Sequence, residues 1–471
     1  MKVLVWNRGE IAARACMAAS RLGLRSVLFL PPPDHDGPAV PLADEVYLWP
    51  HAEVTESFLS FEALAAAVRD TGAELVYPGY GFLAESADFA EAVAAAGARL
   101  VGPPAQALRA VAHKGHAREL ARRCGLDDLG VELDADLATS EFPLLLKAVL
   151  GGGGRGNVLV DRPEELAPAK DALTRRARAL FGDGGMLAER YVTSARHVEV
   201  QFFGFADGVR VLGTRDCSLQ RRHQKVVEEG PAPTAAAALL KPCIDAIERE
   251  LSRLGYRGAG TLELLWERAA ERLYFLEINP RIQVEHPVTE VLLGEDLVEW
   301  QLREAIGETL VDRLGERSLP ERGHAVELRL YAEDPGQAFL PDTGVLHRMS
   351  LPAPPFCRWD LGVQEGGRVT GHYDPMLGKL IAWGRDRDEA LGRARSALRV
   401  ASVHGVATNL DFLEALLAHP VVVADRHDTL FIERELAPKS VAPPDVSTLR
   451  GHFTAPADAP ADSAWKRGHR R

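Results

Sequence analysis

The stretch from Leu276 to Glu290, LEINPRIQVEHPVTE, concentrates side chains capable of chemistry. Glu277 ends an apolar, strand-like run and Asn279-Pro280 breaks it; Arg281, Gln283 and Glu285 then alternate with Ile282 and Val284. In an extended chain, side chains two apart share a face. A guanidinium, a carboxamide and a carboxylate are therefore expected side by side, with the two apolar residues turned into the protein. A planar cation, a neutral hydrogen-bonding group and a base suit a small planar oxyanion. A surface ion-pair ladder on a solvated strand would use the same residue types, so the rest of the chain decides between the two.

Several neighbouring elements supply what such a site needs. GTLELLW (from Gly260) and Leu273 to Ile278 read as a hairpin around the charged turn Glu267 to Arg272. A register symmetric about Ala270 sets Glu263 opposite Glu277, with Asn279 on the same side. Like charges directly opposite are unfavourable in a sheet unless a cation such as Mg²⁺ lies between them. Upstream, the apolar strand FPLLLKAV (142–149) carries Lys147, whose ammonium needs an anion if buried. The run Gly151-Gly152-Gly153-Gly154-Arg155-Gly156 follows, before a returning strand from Asn157. It lacks the Gly-Lys-Ser/Thr of a Walker A loop, yet a glycine hairpin can close over phosphates with its N–H groups. A plain flexible linker is the other reading. Met186 to Val192 reads as a strand leading out of this region.

The opening strand, helix and strand (Val3 to Leu30) form a βαβ unit whose turn, NRGE, is not the dinucleotide fingerprint. Glu74 to Tyr77 is a strand running into the loop PGYGF, a place where open α/β sheets bind ligands. A helix is expected around Val111 to Arg123, carrying Lys114. His197 is followed by a strand through Glu199 and Gln201, and Glu327 and Arg329 in AVELRLY share a strand face. Arg215 to Lys225 (RDCSLQRRHQK) is a dense basic cluster flanked by Glu228-Glu229, which suits a small polyanion better than nucleic acid.

The 471 residues suffice for two to four domains. A net charge of -12 argues against general nucleic-acid binding, so an anionic substrate must be held by local basic groups. Five scattered cysteines without a CxxC pair, and no segment suited to a signal peptide or membrane span, predict a cytoplasmic protein with no membrane partner. From Ala437 the composition shifts to Pro, Ala and Asp, predicting a loosely ordered tail.

NRGEIA, PGYGFLAES, the lysine strand with GGGGRG, RHVEVQ, RDCSLQRRHQKVVEE, EINPRIQVEHPVTE and AVELRLYAEDP together resemble the biotin carboxylases, ATP-grasp components of biotin-dependent carboxylases. The resemblance runs from Asn7 to about Glu435. It implies an α/β protein with an ATP-grasp fold: a Rossmann-like N-terminal domain (1–117), an inserted mobile lid (118–191), an ATP-grasp catalytic domain (192–320), a C-terminal α+β biotin carboxylase domain (321–436) and the tail (437–471).

The same resemblance implies residue roles. Lys114 and Lys147 contact ATP phosphates, with Gly153 and Gly154 in the closing loop. Glu189, Arg190, Tyr191 and Val192 hold adenine, and His197 and His223 line the nucleotide site. Glu263, Glu277 and Asn279 coordinate Mg²⁺ or Mn²⁺, two ions being expected. Lys225, Arg281, Gln283 and the Val284 backbone hold bicarbonate, Glu285 deprotonates it, Arg329 stabilises the biotin enolate, and Tyr80 lies near biotin. The implied reaction makes carboxyphosphate from ATP and bicarbonate, then transfers CO₂ to biotin.

The chain departs from the family pattern at Leu150, where an additional glycine is usual, at Asn157, usually methionine, and at Arg190, where lysine is common. DLGVQEGGRVTGHYDPMLGKLIAW and GVATNLDFLEALLAHP resemble α subunits of methylcrotonyl- and propionyl-CoA carboxylases, which implies a biotin carrier protein or domain, a carboxyltransferase partner and a homodimer. No Met-Lys-Met carrier motif occurs, so biotin is expected on another chain or on a segment outside this one. Two other readings compete: a carbamoyl-phosphate synthetase-like ligase, which also activates bicarbonate, and an inactive nucleotide-binding scaffold.

Overall fold

The computed structural model describes residues 1–131, 142–149, 157–181, 184–308 and 322–436. Gly153, Gly154, Leu150 and the expected tail from 437 lie outside the described residues. Among the described residues, no helix is long and apolar enough to cross a membrane.

The N-terminal part is a five-stranded parallel sheet of β1 (Lys2–Val5), β2 (Arg25–Leu30), β3 (Glu45–Leu48), β4 (Leu75–Tyr77) and β5 (Arg99–Leu100), in the order β3-β2-β1-β4-β5. Its central strands are continuous apolar runs, as burial on both faces requires. The loop after β4 is tied to the end of β1: the Asn7 side-chain amide donates to the carbonyls of Pro78 (2.6 Å) and Tyr80 (2.8 Å). Gly79 sits there at φ +58°, and a Cβ would lie 2.9 Å from the Asn7 amide nitrogen. Only glycine admits that approach in that conformation.

The second sheet collects β7 (Gly130–Val131), β8 (Leu144–Ala148), β9 (Asn157–Val160) and β10 (Met186–Arg190), with β6 (Asp127–Asp128) joining the main sheet instead. The expected single helix over 111–123 is two helices, Ala105–Ala112 and Lys114–Arg123, parted at His113 in extended conformation. The His113 ring accepts from the His116 N–H, a capping bond that starts the second helix at Lys114. That helix buries Ala117, Leu120 and Ala121 in the same core as Val198, Leu262 and Phe275.

The site is built on a nine-stranded sheet. It contains β11 (Arg196–Phe205), β12 (Gly208–Arg221), β13 (Gln224–Gly230), β14 (Gly258–Glu267), β15 (Arg272–Asn279) and β16 (His324–Tyr331). With β17 (Cys357–Leu361) and β18 (Met376–Gly384), the order is β17-β18-β16-β13-β12-β11-β14-β15-β6. Helices Arg387–Val400 and Leu410–Ala418 cover the β16–β18 side through a core that includes Leu328, Leu380, Ala394 and Leu413.

Candidate active site

Directly opposed residues in antiparallel strands project to the same face. Arg215 faces Glu199, Glu199 faces Glu263, and Glu263 faces Glu277, so β12, β11, β14 and β15 carry one row of charge. Farther along the same face, Asp360 faces Lys379 and Lys379 faces Arg329. Two residues before Arg329, Glu327 faces Glu228.

The expected Glu263–Glu277 pairing is present, but by a different route. At the turn the register pairs Glu267 with Arg272, half a residue off symmetry about Ala270; an irregularity between Glu263 and Leu264, with Leu276 as the extra residue, shifts it back.

A cavity of about 800 Å³ opens on this face. Lys114, Glu189, His197, His223, Lys225, Glu263, Glu277, Asn279, Arg281, Gln283, Val284, Glu285 and Arg329 all line it. Lys147 reaches it through an ion pair with Glu189, and Lys114 donates to the Ala148 carbonyl at 2.5 Å. Tyr80 lines an adjoining, more apolar cavity of about 370 Å³ that shares Phe82, Val284 and Arg329 with the first.

Three of the residues expected at adenine lie outside both linings. The Arg190 guanidinium bonds Glu267 at 2.9 Å and covers the Tyr274 ring. The Tyr191 N–H donates to Pro143, and Val192 packs in a small cluster with Leu129 and Ala195. Asn157 pairs with Lys147 across β8 and β9.

The 281–285 segment is not the extended strand expected. Pro280 removes a ladder N–H and Pro287 sits in the first turn of helix His286–Leu293, so the chain turns between them. Ile282 is fully buried as expected. Val284 is not turned inward: it lines both cavities, and its carbonyl accepts from Lys379. Arg281, Gln283 and Glu285 nevertheless converge, because the turn brings them to one cavity wall.

Lys225 is the hub. Its ammonium donates to Glu263 at 2.9 Å, to Glu285 at 2.7 Å, and also to Glu199. Burial disfavours its charge, but Glu199, Glu263 and Glu285 hold its pKa well above the usual lysine value. Burial likewise raises the carboxyls of Glu263 and Glu285, and is overcome at both by Lys225, helped by His197 at Glu263 and by Arg329 at Glu285. Both are held below the usual carboxylate range. Arg329 bridges Glu228 (2.6 Å) and Glu285 (2.8 Å). Lys114 is lowered by burial and by the Lys147 ammonium, which marks a place short of negative charge.

The basic cluster does not act as one anion surface. Arg215 is fully buried and spends its donors on Glu199, Gln201, Gln283 and Thr289 at 2.7–3.2 Å. Arg221 pairs with Glu333 at 2.7 Å. Lys225 and His223 are left facing the cavity, because residues of a strand alternate between faces and β12–β13 is a hairpin.

Two carboxylates without an expected role also reach the site: Glu85, which accepts from Arg281 at 2.6 Å, and Glu228, which accepts from Arg329. The pair Lys379–Glu10 (3.0 Å) was also unexpected; its Glu10 accepts the Tyr80 hydroxyl at 2.5 Å. Glu85 lies in the PGYGFLAES motif, Glu10 in NRGEIA and Lys379 in the stretch ending MLGKLIAW, but no local signal pairs Lys379 with Glu10.

The oxygen donors fit a divalent cation. Glu277 is pushed up by burial and then by Glu263, and among the described residues its one hydrogen bond is from the Asn279 amide at 3.5 Å. Asn279 turns its NH₂ to Glu263 (2.9 Å) and its oxygen to Arg281 (3.3 Å). A half-turn of that amide offers the oxygen beside two carboxylates, a hard-cation donor set.

Three family models match the chain: Biotin carboxylase, N-terminal domain (residues 1–108), Carbamoyl-phosphate synthase L chain, ATP binding domain (130–313), and Biotin carboxylase C-terminal domain (327–434). The chain is 42% identical over 444 residues to the mitochondrial methylcrotonoyl-CoA carboxylase subunit alpha of Oryza sativa, covering 92% of this chain and 60% of that protein. It is 39% identical to the biotin carboxylase of Halalkalibacterium halodurans, covering 93% of this chain and 98% of that one. The biotin carboxylase domain dimer of Hydrogenobacter thermophilus 2-oxoglutarate carboxylase, solved with MgADP, ADP and bicarbonate, superposes with a TM-score of 0.86 at 34% identity, covering 92% and 97% of the two chains. The chain thus spans about three fifths of the methylcrotonoyl-CoA carboxylase subunits it matches and nearly all of a stand-alone biotin carboxylase. With these matches over the N-terminal, ATP-grasp and C-terminal parts, the chain belongs to the biotin carboxylase family of ATP-dependent ligases.

Proposed function

We propose that this chain carboxylates biotin held on a carrier protein, using ATP and bicarbonate, as the first half-reaction of an acyl-CoA carboxylase. The observation that carries the residue assignment is Lys225: one ammonium joins Glu263, on the cation side, to Glu285, on the side of Arg329.

In this reading Lys114 and Lys147 hold the ATP phosphates with Gly153 and Gly154. Glu189 to Val192 hold adenine, and His197 and His223 flank the nucleotide. Glu263, Glu277 and Asn279 hold Mg²⁺ or Mn²⁺, which when bound neutralises charge on the transferring phosphoryl group. Lys225, Arg281, Gln283 and the Val284 backbone orient bicarbonate, so attack on the γ-phosphorus starts from a fixed geometry.

Glu285 takes the bicarbonate proton. Lys225 and Arg329 both bond it, which keeps it ionised and weakly basic. Substrates that draw either cation away strengthen the base at the moment it is needed. Attack expels ADP and leaves carboxyphosphate, which separates into CO₂ and phosphate. The phosphate removes the ureido proton of biotin, Arg329 stabilises the enolate oxygen, and the ureido nitrogen captures CO₂. The apolar cavity beside Tyr80 and Phe82 suits the bicyclic ring of biotin.

The proposal includes a carrier protein or domain, a carboxyltransferase subunit, a homodimer and a cytoplasmic setting, the last in keeping with five free cysteines. It divides the chain at 117, 191, 320 and 436. ATP hydrolysis measured with bicarbonate, with and without free biotin, tests the activity. Stimulation by biotin is expected; bicarbonate-dependent hydrolysis indifferent to biotin would favour the carbamoyl-phosphate synthase-like alternative.

A further inference from the structure

Two buried carboxyls stand opposite one another behind Arg329. Glu228 of β13 and Glu327 of β16 are register partners and both are 0% exposed. Like charges directly opposite destabilise a sheet, and an unpaired buried carboxylate is costly. Yet among the described residues, of their four oxygens only Glu228 Oε1 has a donor, Arg329 at 2.6 Å. Glu228 Oε2 and both oxygens of Glu327 have none.

Among the described residues, no nearby cation is free to answer for Glu327. The charged groups around the pair are Arg329 on β16, Lys225 on β13, Lys379 on β18 and Glu285 from the turn before helix His286–Leu293, with the hydroxyls of Tyr80 and Tyr331 also close. Lys379 is bonded to Glu10 and the Val284 carbonyl, Lys225 already serves three carboxylates, and Arg329 serves Glu228 and Glu285. A proton is the charge that remains available. Placed between the two carboxyls it joins two of the three orphaned oxygens, one as donor and one as acceptor.

We propose that Glu228 and Glu327 share one proton, and that the ionised member of this pair anchors Arg329. Both are then positioning residues for the arginine assigned above to the biotin enolate, and the kinetic consequence rests on that assignment while the proton does not. Burial drives the same way: it lifts Glu228 to about 7 against the pull of Arg329, and lifts Glu327 well above the carboxylate range against Lys379. A second full charge on the pair would draw Arg329 back from Glu285. With one charge, the guanidinium stays stretched between Glu228 and Glu285, facing the cavity.

Infrared difference spectroscopy on the full chain at neutral pH tests the proton. Wild type minus Glu327→Gln should show loss of a protonated-carboxyl C=O stretch that shifts in D₂O. Glu327→Leu, neutral and of similar volume, serves as second variant; a folded variant of either kind that retains the band overturns the proposal. The anchoring is read separately by kinetics. Glu228→Gln should lower kcat with free biotin about 10- to 100-fold, the scale of one charged hydrogen bond, with the loss in kcat rather than in KM for ATP and partial recovery in Glu228→Asp. An unchanged kcat, or equal losses in kcat and KM for ATP, overturns the anchoring. Arg329→Ala run alongside separates causes: if it leaves biotin turnover intact, the assignment of Arg329 has failed, and the band still decides the shared proton.

Discussion

Lys379→Met removes an ammonium that is 0% exposed, leaves Glu10 Oε1, 3.0 Å away, with the Tyr80 hydroxyl alone, and takes the Lys379 donor from the Val284 carbonyl. Coulomb attraction at that distance is about 5–6 kcal/mol in an effective dielectric of about 20. Breaking a buried pair typically costs about 3–5 kcal/mol, because the surviving charge is left uncompensated. Methionine refills the volume of the stem, so we expect a loss of about 3–5 kcal/mol for the single variant. Converting the survivor to a neutral amide in Lys379→Met/Glu10→Gln should return about 2 kcal/mol or more of that loss, since no buried charge then lacks a partner. Urea unfolding followed by tryptophan fluorescence, with the slope on denaturant compared across the four proteins, measures all three free energies. The pair also holds the Tyr80 hydroxyl and the Val284 carbonyl, so the single variant should raise KM for biotin. If the double variant costs the sum of the two singles within about 0.5 kcal/mol, Lys379 and Glu10 are not coupled and the reasoning fails.

Arg281→Ala and Glu285→Gln should each lower biotin-dependent turnover by about 10²–10⁴-fold while ATP still binds; equilibrium nucleotide binding beside turnover checks both halves. Removing divalent cations with a chelator should abolish turnover, and Glu277→Gln should raise the Mg²⁺ concentration for half-activity by at least about 10-fold; an unmoved metal titration would take Glu277 out of the cation site. Burial raises the Glu229 carboxyl, but bonds from His324 and Arg387 prevail and hold it at about 2. Its folded value is thus below an unfolded value of about 4.3, so about 3 kcal/mol of stability is present above pH ~5 and is lost as pH falls toward 2. Glu229→Gln should flatten that acid limb, and parallel stability–pH curves for variant and wild type would contradict the assignment.

Much of the site was legible because it depends on local periodicity. Glu277 and Asn279, or Glu327 and Arg329, share a face through the two-residue repeat of a strand, whatever the strand pairs with. The hairpin from Gly258 to Asn279 closes over a short turn, so Glu263 could be set against Glu277 from spacing alone, although a local irregularity was needed to complete it. The family motifs carried the ATP-grasp and Rossmann-like architecture for the same reason: each is a contiguous run whose residues act together.

Long-range pairing was not legible. Nothing near Glu228 announces that β16, about 100 residues later, will set Glu327 opposite it. Nothing near Lys379 announces Glu10 or the Val284 carbonyl. Arg215 looked like part of an anion-binding cluster until the row it shares with Glu199 showed it buried and fully engaged. In Leu276 to Glu290, the residue types that could hold an oxyanion followed from the sequence by itself. Their convergence came from a turn between two prolines, and their protonation from carboxylates and cations on strands far away in the chain. Side-chain chemistry and period are properties of a segment, whereas charge balance in a buried site belongs to every strand that reaches it.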